Sequence, residues 1–334
     1  MYILLCISLL LVTFLTFNSL ASLGTAASWT VVAGYGARWP ASVRARLLFL
    51  LRVLPPLAGL IGIALLLIPA YLVHEPRATS ESVSFKMALI ALASAVGIML
   101  AVLRGIAASR ATARLVRDWL AAAERIKIDE VDIPTFRIRH PFPVIAIVGV
   151  IRPRLFVANH ILDSLTSAEL AAAIAHETGH LAVRDNLKRG LLRACRDALL
   201  IIPCGRSLDR AWAEAAEIAA DEYAARGGPN IALDLAATLV KIARMIPKGA
   251  RPMMPAGAFL LGGDEPGGVK IRVRRLLELA AMDQRSNGGK LVGPRSLTWP
   301  LLVSICFLCI LVASNNQVLT TVHSMIEHLV FFLR

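Results

Sequence analysis

Four apolar blocks divide the chain. Residues 2–23 carry no charge, residues 47–73 are interrupted only by Arg52 and Pro55-Pro56, residues 87–103 form a third block, and residues 297–313 form a fourth led by Trp299 and Pro300. Each approaches the ~20 residues that a helix needs to cross a bilayer. The pattern therefore predicts a mainly α, integral membrane protein with about four transmembrane helices. A small-residue stretch, Gly24-Thr25-Ala26-Ala27-Ser28, follows the first block, but no Lys or Arg precedes it. A secretory signal needs a basic start, so a retained span is expected.

Between the third and fourth blocks the period changes. Residues 133–139, 144–150 and 155–158 are short, β-rich and bounded by Pro or Gly, which predicts a small antiparallel sheet. Thr166-Ser167-Ala168-Glu169 then reads as a capping box that opens an Ala-rich helix running to about residue 189. A second helix is expected from about Ser207 to a stop at Gly227-Gly228, a third from Pro229 to Met245, and a fourth over 269–281. Residues 247–268, rich in Gly and Pro, read as a long loop of the kind that often carries function. The tail, 317–334, is apolar at helical spacing and is expected to lie at the membrane interface.

Composition sharpens this picture. The chain of 334 residues is 57% hydrophobic with a formal net charge of +13. The positive charge follows the loops. Arg38, Arg44 and Arg46 follow the first block without an acid; Glu75, Arg77, Glu81 and Lys86 balance after the second; Arg104, Arg110, Arg114 and Arg117 follow the third. By the positive-inside rule the N-terminus and the C-terminal tail are outside and the long central segment is cytoplasmic, in a bacterial inner membrane. Three parts are expected: 1–103 with three spans, 104–296 as a cytoplasmic domain, and 297–334 as the fourth span and tail. Arg52 is expected to snorkel to the interface. No RNP, zinc-finger or helix-turn-helix pattern is present, so direct nucleic-acid binding is not expected. The five cysteines, Cys6, Cys195, Cys204, Cys306 and Cys309, form no disulfide framework.

The chemistry sits in His176-Glu177-Thr178-Gly179-His180. Two imidazoles four residues apart share one face of a helix and can share a metal ion, while Glu177 can act as general base toward a metal-activated water. A catalytic zinc site needs a third protein ligand. The second helix offers Glu214, Glu217, Asp221 and Glu222, of which Glu217 and Asp221 share a face. Spacing alone leaves the choice open. Asp185 reads equally as a partner of Arg184 or Lys188 and as a support for the site. His323 and His328 are expected at the interface rather than as ligands.

His176-Glu177-Thr178-Gly179-His180 followed by Glu217-Ile218-Ala219-Ala220-Asp221 resembles the H-E-x-x-H…E-x-x-x-D pattern of gluzincin membrane proteases. Two related families fit: one contains HtpX and the CAAX prenyl proteases, the other the BlaR/MecR-type antibiotic-sensor metallopeptidases. The resemblance implies Glu217 as third zinc ligand and Asp221 as its supporting carboxylate. Residues 148–157, Asp185 and the 269–279 helix with Arg272 and Arg274-Arg275 also resemble these families, and the order of spans is closest to the sensors. Val183 stands where the sensors have Arg. Only about twenty residues follow the fourth block, so the sensors' large extracellular ligand-binding domain is not expected.

These readings converge on one expectation: a zinc endopeptidase with one Zn2+ per chain, held by His176, His180 and Glu217, with Glu177 as general base and Asp221 behind the ligands. Its partners are the lipid bilayer and a protein or peptide substrate, either a cytosolic repressor or a membrane protein. Tyr223, His140, His160 and the late arginines are candidate oxyanion donors. The rival reading is a non-proteolytic, zinc-organised membrane signal transducer.

Overall fold

The computed structural model describes residues 1–36, 39–77, 82–128, 131–199, 205–246, 266–283 and 315–333. The expected fourth span and most of the expected 247–268 loop lie outside these residues, as do Cys204, Cys306 and Cys309.

Three long apolar elements come first: α1 (Tyr2–Gly36), α2 (Ala41–Gly62) continuing through a π-helical turn (Ile63–Leu67) into α3 (Ile68–His74), and α4 (Phe85–Ala121). The π turn sits just before Pro69, whose ring excludes the carbonyl of Leu65 from an ordinary helical bond. All three runs are long and apolar enough to cross a membrane. They pack through narrow stripes such as Leu5, Leu9 and Val12, while large apolar side chains at Leu50, Leu54, Leu57, Leu89, Leu92 and Val96 face outward. An outward apolar surface of that extent suits lipid rather than water. α4 runs without a break from this bundle past Arg104, and Trp119 and Leu120 near its end join the core of the following domain.

That domain opens with β1 (Glu124–Ile126), β2 (Thr135–Ile138), β3 (Ile145–Val148) and β4 (Arg154–Ala158). The order is β1-β2-β4-β3, with β2 and β4 parallel, so the sheet is mixed rather than antiparallel as its sequence suggested. The β3–β4 hairpin turns at Gly149, in the left-handed region at φ 108°, and presents β4 rather than β3 to β2. The Phe136 and Phe156 rings, opposite each other in the parallel register, stack at 5.7 Å, and Trp119 packs edge-on to Phe156 at 5.0 Å. Non-local aromatic packing thus selects the pairing.

Helices α5 (Asn159–Ser164), α6 (Ser167–Ala182), α7 (Asp185–Asp197), α8 (Gly205–Ala225), α9 (Pro229–Met245) and α10 (Pro266–Asp283) complete the domain. α6 lies against β3, and α8 and α9 pack on α6. The N-terminal half of α8 packs on α2 through Leu208, Trp212, Ala215 and Ala216 against Ala45 and Leu48. Arg52 does not snorkel. It is buried in this joint with its Nε 3.4 Å from Asp209 Oδ1, and any side chain at Gly205 would collide with its guanidinium. α11 (Asn316–Leu333) spans the other end of the bundle. Thr320 lies 3.4 Å from His74, and Ser84 donates to the Leu333 carbonyl at 2.6 Å, so both ends of α11 meet the ends of α3 and α4.

Candidate metal centre

α6 begins where its capping box places it. The Thr166 hydroxyl accepts from Glu169 N–H, the Glu169 carboxylate accepts from Thr166 N–H, and Lys241 pairs with that carboxylate at 2.7 Å. A cap of this kind contributes about 1 kcal/mol. The helix then presents His176 and His180 on one face, their rings 4.9 Å apart and nearly perpendicular at 88°.

α6 stops at Ala182 rather than near residue 189. Arg184 takes the left-handed conformation, φ 57°, and a new helix starts at Asp185. A non-glycine residue there costs about 1 kcal/mol. The break turns Asp185 back toward the site, where it meets His180 Nδ1 at 2.8 Å and Lys188 Nζ at 3.1 Å.

Close approach of α8 supplies the remaining groups. A Cβ on Gly179 would lie 3.2 Å from Tyr223 and 3.3 Å from the Ala220 Cα, so only glycine lets the two helices meet this tightly. Glu217 then reaches both imidazoles: Oε2 is 3.6 Å from His176 Nε2, and Oε1 is 3.5 Å from His180 Nε2. Ligands around a tetrahedral zinc at ~2.0–2.1 Å bond lengths lie about 3.3 Å apart. The observed spacing fits a small divalent cation. Glu217 Oε2 is buried without a hydrogen bond of good geometry, as a ligand atom awaiting a metal would be.

Behind each imidazole stands a carboxylate. His176 Nδ1 is 2.9 Å from Asp221 Oδ1, and His180 Nδ1 is 2.8 Å from Asp185 Oδ2. With N–H on Nδ1, each Nε2 would turn its one lone pair toward a metal shared with Glu217, the arrangement that fixes ligating tautomers in metal sites. Arg272 of α10 holds Asp221 through two 2.7 Å bonds and approaches Glu217 at 3.2 Å. Arg189 of α7 reaches Glu217 Oε1 at 3.0 Å and lies 6.0 Å from the Trp212 ring. Glu214 and Glu222 are not in the cluster, and Glu222 pairs with Arg275.

Residues 146–245 match the family model described as Peptidase family M48. This segment resembles an M48 metallopeptidase domain. No curated protein matches the sequence. The match covers His176, Glu177, His180, Glu217 and Asp221 and supports the gluzincin resemblance, without choosing between the two related families.

Electrostatics in this domain keep the clustered groups apart in protonation state. Burial opposes charge on Glu217, yet His180, His176 and Arg272 hold its carboxyl well below the usual range. Burial also opposes charge on His180, but Glu217 and Asp185 outweigh it and push the imidazole up to about 10. Glu177 differs. Burial raises its pKa above the ordinary value, against the pull of the two histidines. A carboxylate with a raised pKa is suited to take and return a proton near neutral pH.

Glu177 also touches the sheet. Its Oε2 accepts from Ile147 N–H on β3 at 3.2 Å, while Asn186 donates to the Ile147 carbonyl at 3.0 Å. β3 is an edge strand, so these two groups on its outward side are tied to α6 and to α7. Beside them a groove of about 670 Å³ runs between residues 101–116 of α4, the β3–β4 hairpin and α7, with Arg104, Arg189, Arg193 and Arg196 on its walls.

Two side chains escaped the sequence reading. Arg189 and Asn186 depend on the unforeseen helix break. Arg272, expected among possible oxyanion donors, is committed to Asp221 and Glu217. The other oxyanion candidates divide: Tyr223 packs on Gly179 beside the site, whereas His140 bonds the Phe142 backbone and packs on Trp119. Burial and the charge on His140 lower the pKa of His160, with Asp163 opposing.

Proposed function

We propose that this protein is a membrane-anchored zinc endopeptidase that cleaves polypeptides at the cytoplasmic face of a bacterial inner membrane. The observation that carries this reading is a buried Glu177 lying between the His176–His180–Glu217 cluster and the edge strand β3. The N/O donor set and its spacing favour zinc. When bound, zinc supplies Lewis acidity toward the scissile carbonyl and acidifies the attacking water.

The chain's own residues do the rest. His176, His180 and Glu217 hold the cation; Asp221 and Asp185 fix the two imidazoles; Arg272 and Arg189 hold Glu217. Glu177 accepts the proton of the attacking water and delivers it to the amide nitrogen as the C–N bond breaks, leaving a carboxylic acid and an amine. The substrate backbone pairs along β3, at Ile145 and beyond the position that Ile147 already uses. The adjacent arginine-lined groove favours a substrate segment carrying acidic residues. The substrate is a cytosolic repressor or a membrane protein, so the activity is regulatory or serves quality control.

The test compares wild type with Glu177→Gln in detergent, measuring bound metal and cleavage of an unfolded protein substrate. Glu177→Gln should keep its metal and lose about 10²–10⁴-fold in rate. Equal cleavage by both proteins would sink the assignment. Equal biological output from both would instead favour a zinc-organised transducer.

A further inference from the structure

A second set of groups able to hold a metal converges at the end of the bundle away from the sheet-containing domain. Glu75 caps α3, and His323 and Glu327 lie one turn apart on α11. One ligand atom from each residue lies within 4.8 Å of the other two. Glu75 is buried, the His323 side chain is 18% exposed, and Glu327 is open to solvent at 56%. His323 Nε2 stands 3.6 Å from Glu327 Oε1, while its Nδ1 is buried with no hydrogen-bond partner among the described residues. The His74 ring stacks on His323 at 5.5 Å and restricts its rotation.

We propose that Glu75, His323 and Glu327 bind a divalent first-row cation of the zinc type. An ordinary i,i+4 His–Glu pair accounts for one ring nitrogen and leaves the other buried without a partner, which costs about 1–3 kcal/mol. A dication held at Nδ1 would give that nitrogen its partner, and one imidazole with two carboxylates is a donor set that suits zinc-like ions rather than calcium. The exposed Glu327 gives the ion a path from solvent. This reverses the expectation that His323 is merely interfacial.

The site is separate from the catalytic cluster. α1 shares an apolar cluster with α11 through Leu5, Leu9 and Val12, and joins the α8 cluster through Ala26 and Trp29. The span from Leu9 to Trp29 alone is about 30 Å of helix. A cation here ties α11 to the end of α3, adding to the Ser84–Leu333 and Thr320–His74 links.

Counting bound zinc on the full-length chain, purified in detergent with a tag free of histidine, tests this proposal. Wild type should hold two ions, His323→Ala one, and His176→Ala/His180→Ala one. Glu327→Gln, which keeps the shape of the side chain, should weaken the second ion at least about tenfold by chelator competition. One ion in both wild type and His323→Ala, or none in His176→Ala/His180→Ala, overturns the proposal. One ion in wild type and none in His323→Ala keeps this site and instead removes the catalytic centre's claim to zinc.

Discussion

Gly179→Ala separates the geometry of the metal centre from the stability of the fold. The added Cβ would stand 3.2 Å from Tyr223 Cβ and Cδ1 and 3.3 Å from the Ala220 Cα. These contacts are tighter than ordinary van der Waals spacing and one neighbour is backbone, so α6 and α8 must part by a few tenths of an ångström. Overpacking of this size costs about 1–3 kcal/mol. Alanine also gains about 1 kcal/mol of helix propensity over glycine. The metal-free fold should therefore lose at most about 2 kcal/mol. The metal feels more. Ligand distances tolerate about 0.2 Å, and Glu217 rides on the helix that moves. The expected result is metal affinity weakened about tenfold or more, read by chelator competition, with a small shift in the thermal midpoint of the metal-free protein. Gly190→Ala is the control. Its Cβ meets nothing within 4 Å, so it should stabilise α7 slightly and leave the affinity alone. Unchanged affinity in Gly179→Ala would refute the argument that this glycine sets the ligand spacing.

Two further outcomes follow from the charges. His180, pushed up to about 10 by Glu217 and Asp185 against the effect of burial, is protonated at neutral pH without metal. Its contribution to metal-free stability is complete below about 6.5 and is lost as pH rises toward about 10. Metal loading at pH 7.5 should therefore release about one proton from this group, seen as a calorimetric heat that depends on the buffer's ionisation enthalpy; a buffer-independent heat would contradict it. At the membrane joint, Arg52→Met leaves Asp209 opposite an apolar face, with Arg196 at 3.8 Å its one cation partner among the described residues. Destabilisation of about 2–3 kcal/mol is expected, below the fully buried range because Asp209 keeps some solvent, and Arg52→Met/Asp209→Asn should recover most of it. A double variant no better than the single one would mean that the pair contributes little.

The sequence carried those features whose causes are local. The Thr166–Glu169 box, the stop after Ala225, the start at Pro229 and the helical spacing of His176 and His180 all follow from side chains reaching their own backbone or from helix geometry. The companion pair Glu217 and Asp221 was legible as a face, and the family resemblance singled out Glu217. What escaped was decided at long range. Nothing near Arg184 marks a break, since neither Gly nor Pro is there; the helix ends because Asp185 gains His180 and Lys188. The parallel β2–β4 pairing rests on Phe136, Phe156 and Trp119 meeting across the domain. Arg52 read as a charge seeking water because its partner Asp209 lies far along the chain.

Helix α8 joins these levels. Its N-terminal half is buried against α2, and its C-terminal half carries Glu217 and Asp221 against α6. Between them Arg189 touches both the Trp212 ring of the joint and the Glu217 carboxylate. The division of the chain near residue 104 therefore cuts through a packed unit. A fragment beginning there would keep His176, His180 and Glu217, yet Leu208, Trp212 and Ala215 would lose their cover and Asp209 its partner. Each buried large side chain returned to water forfeits about 1.5–3 kcal/mol. That loss falls on the helix whose position must hold to about 0.2 Å for the metal. The long apolar helices are thus part of the scaffold of the candidate metal centre, and a cleavage activity that needs detergent or bilayer to survive is the behaviour expected of this packing.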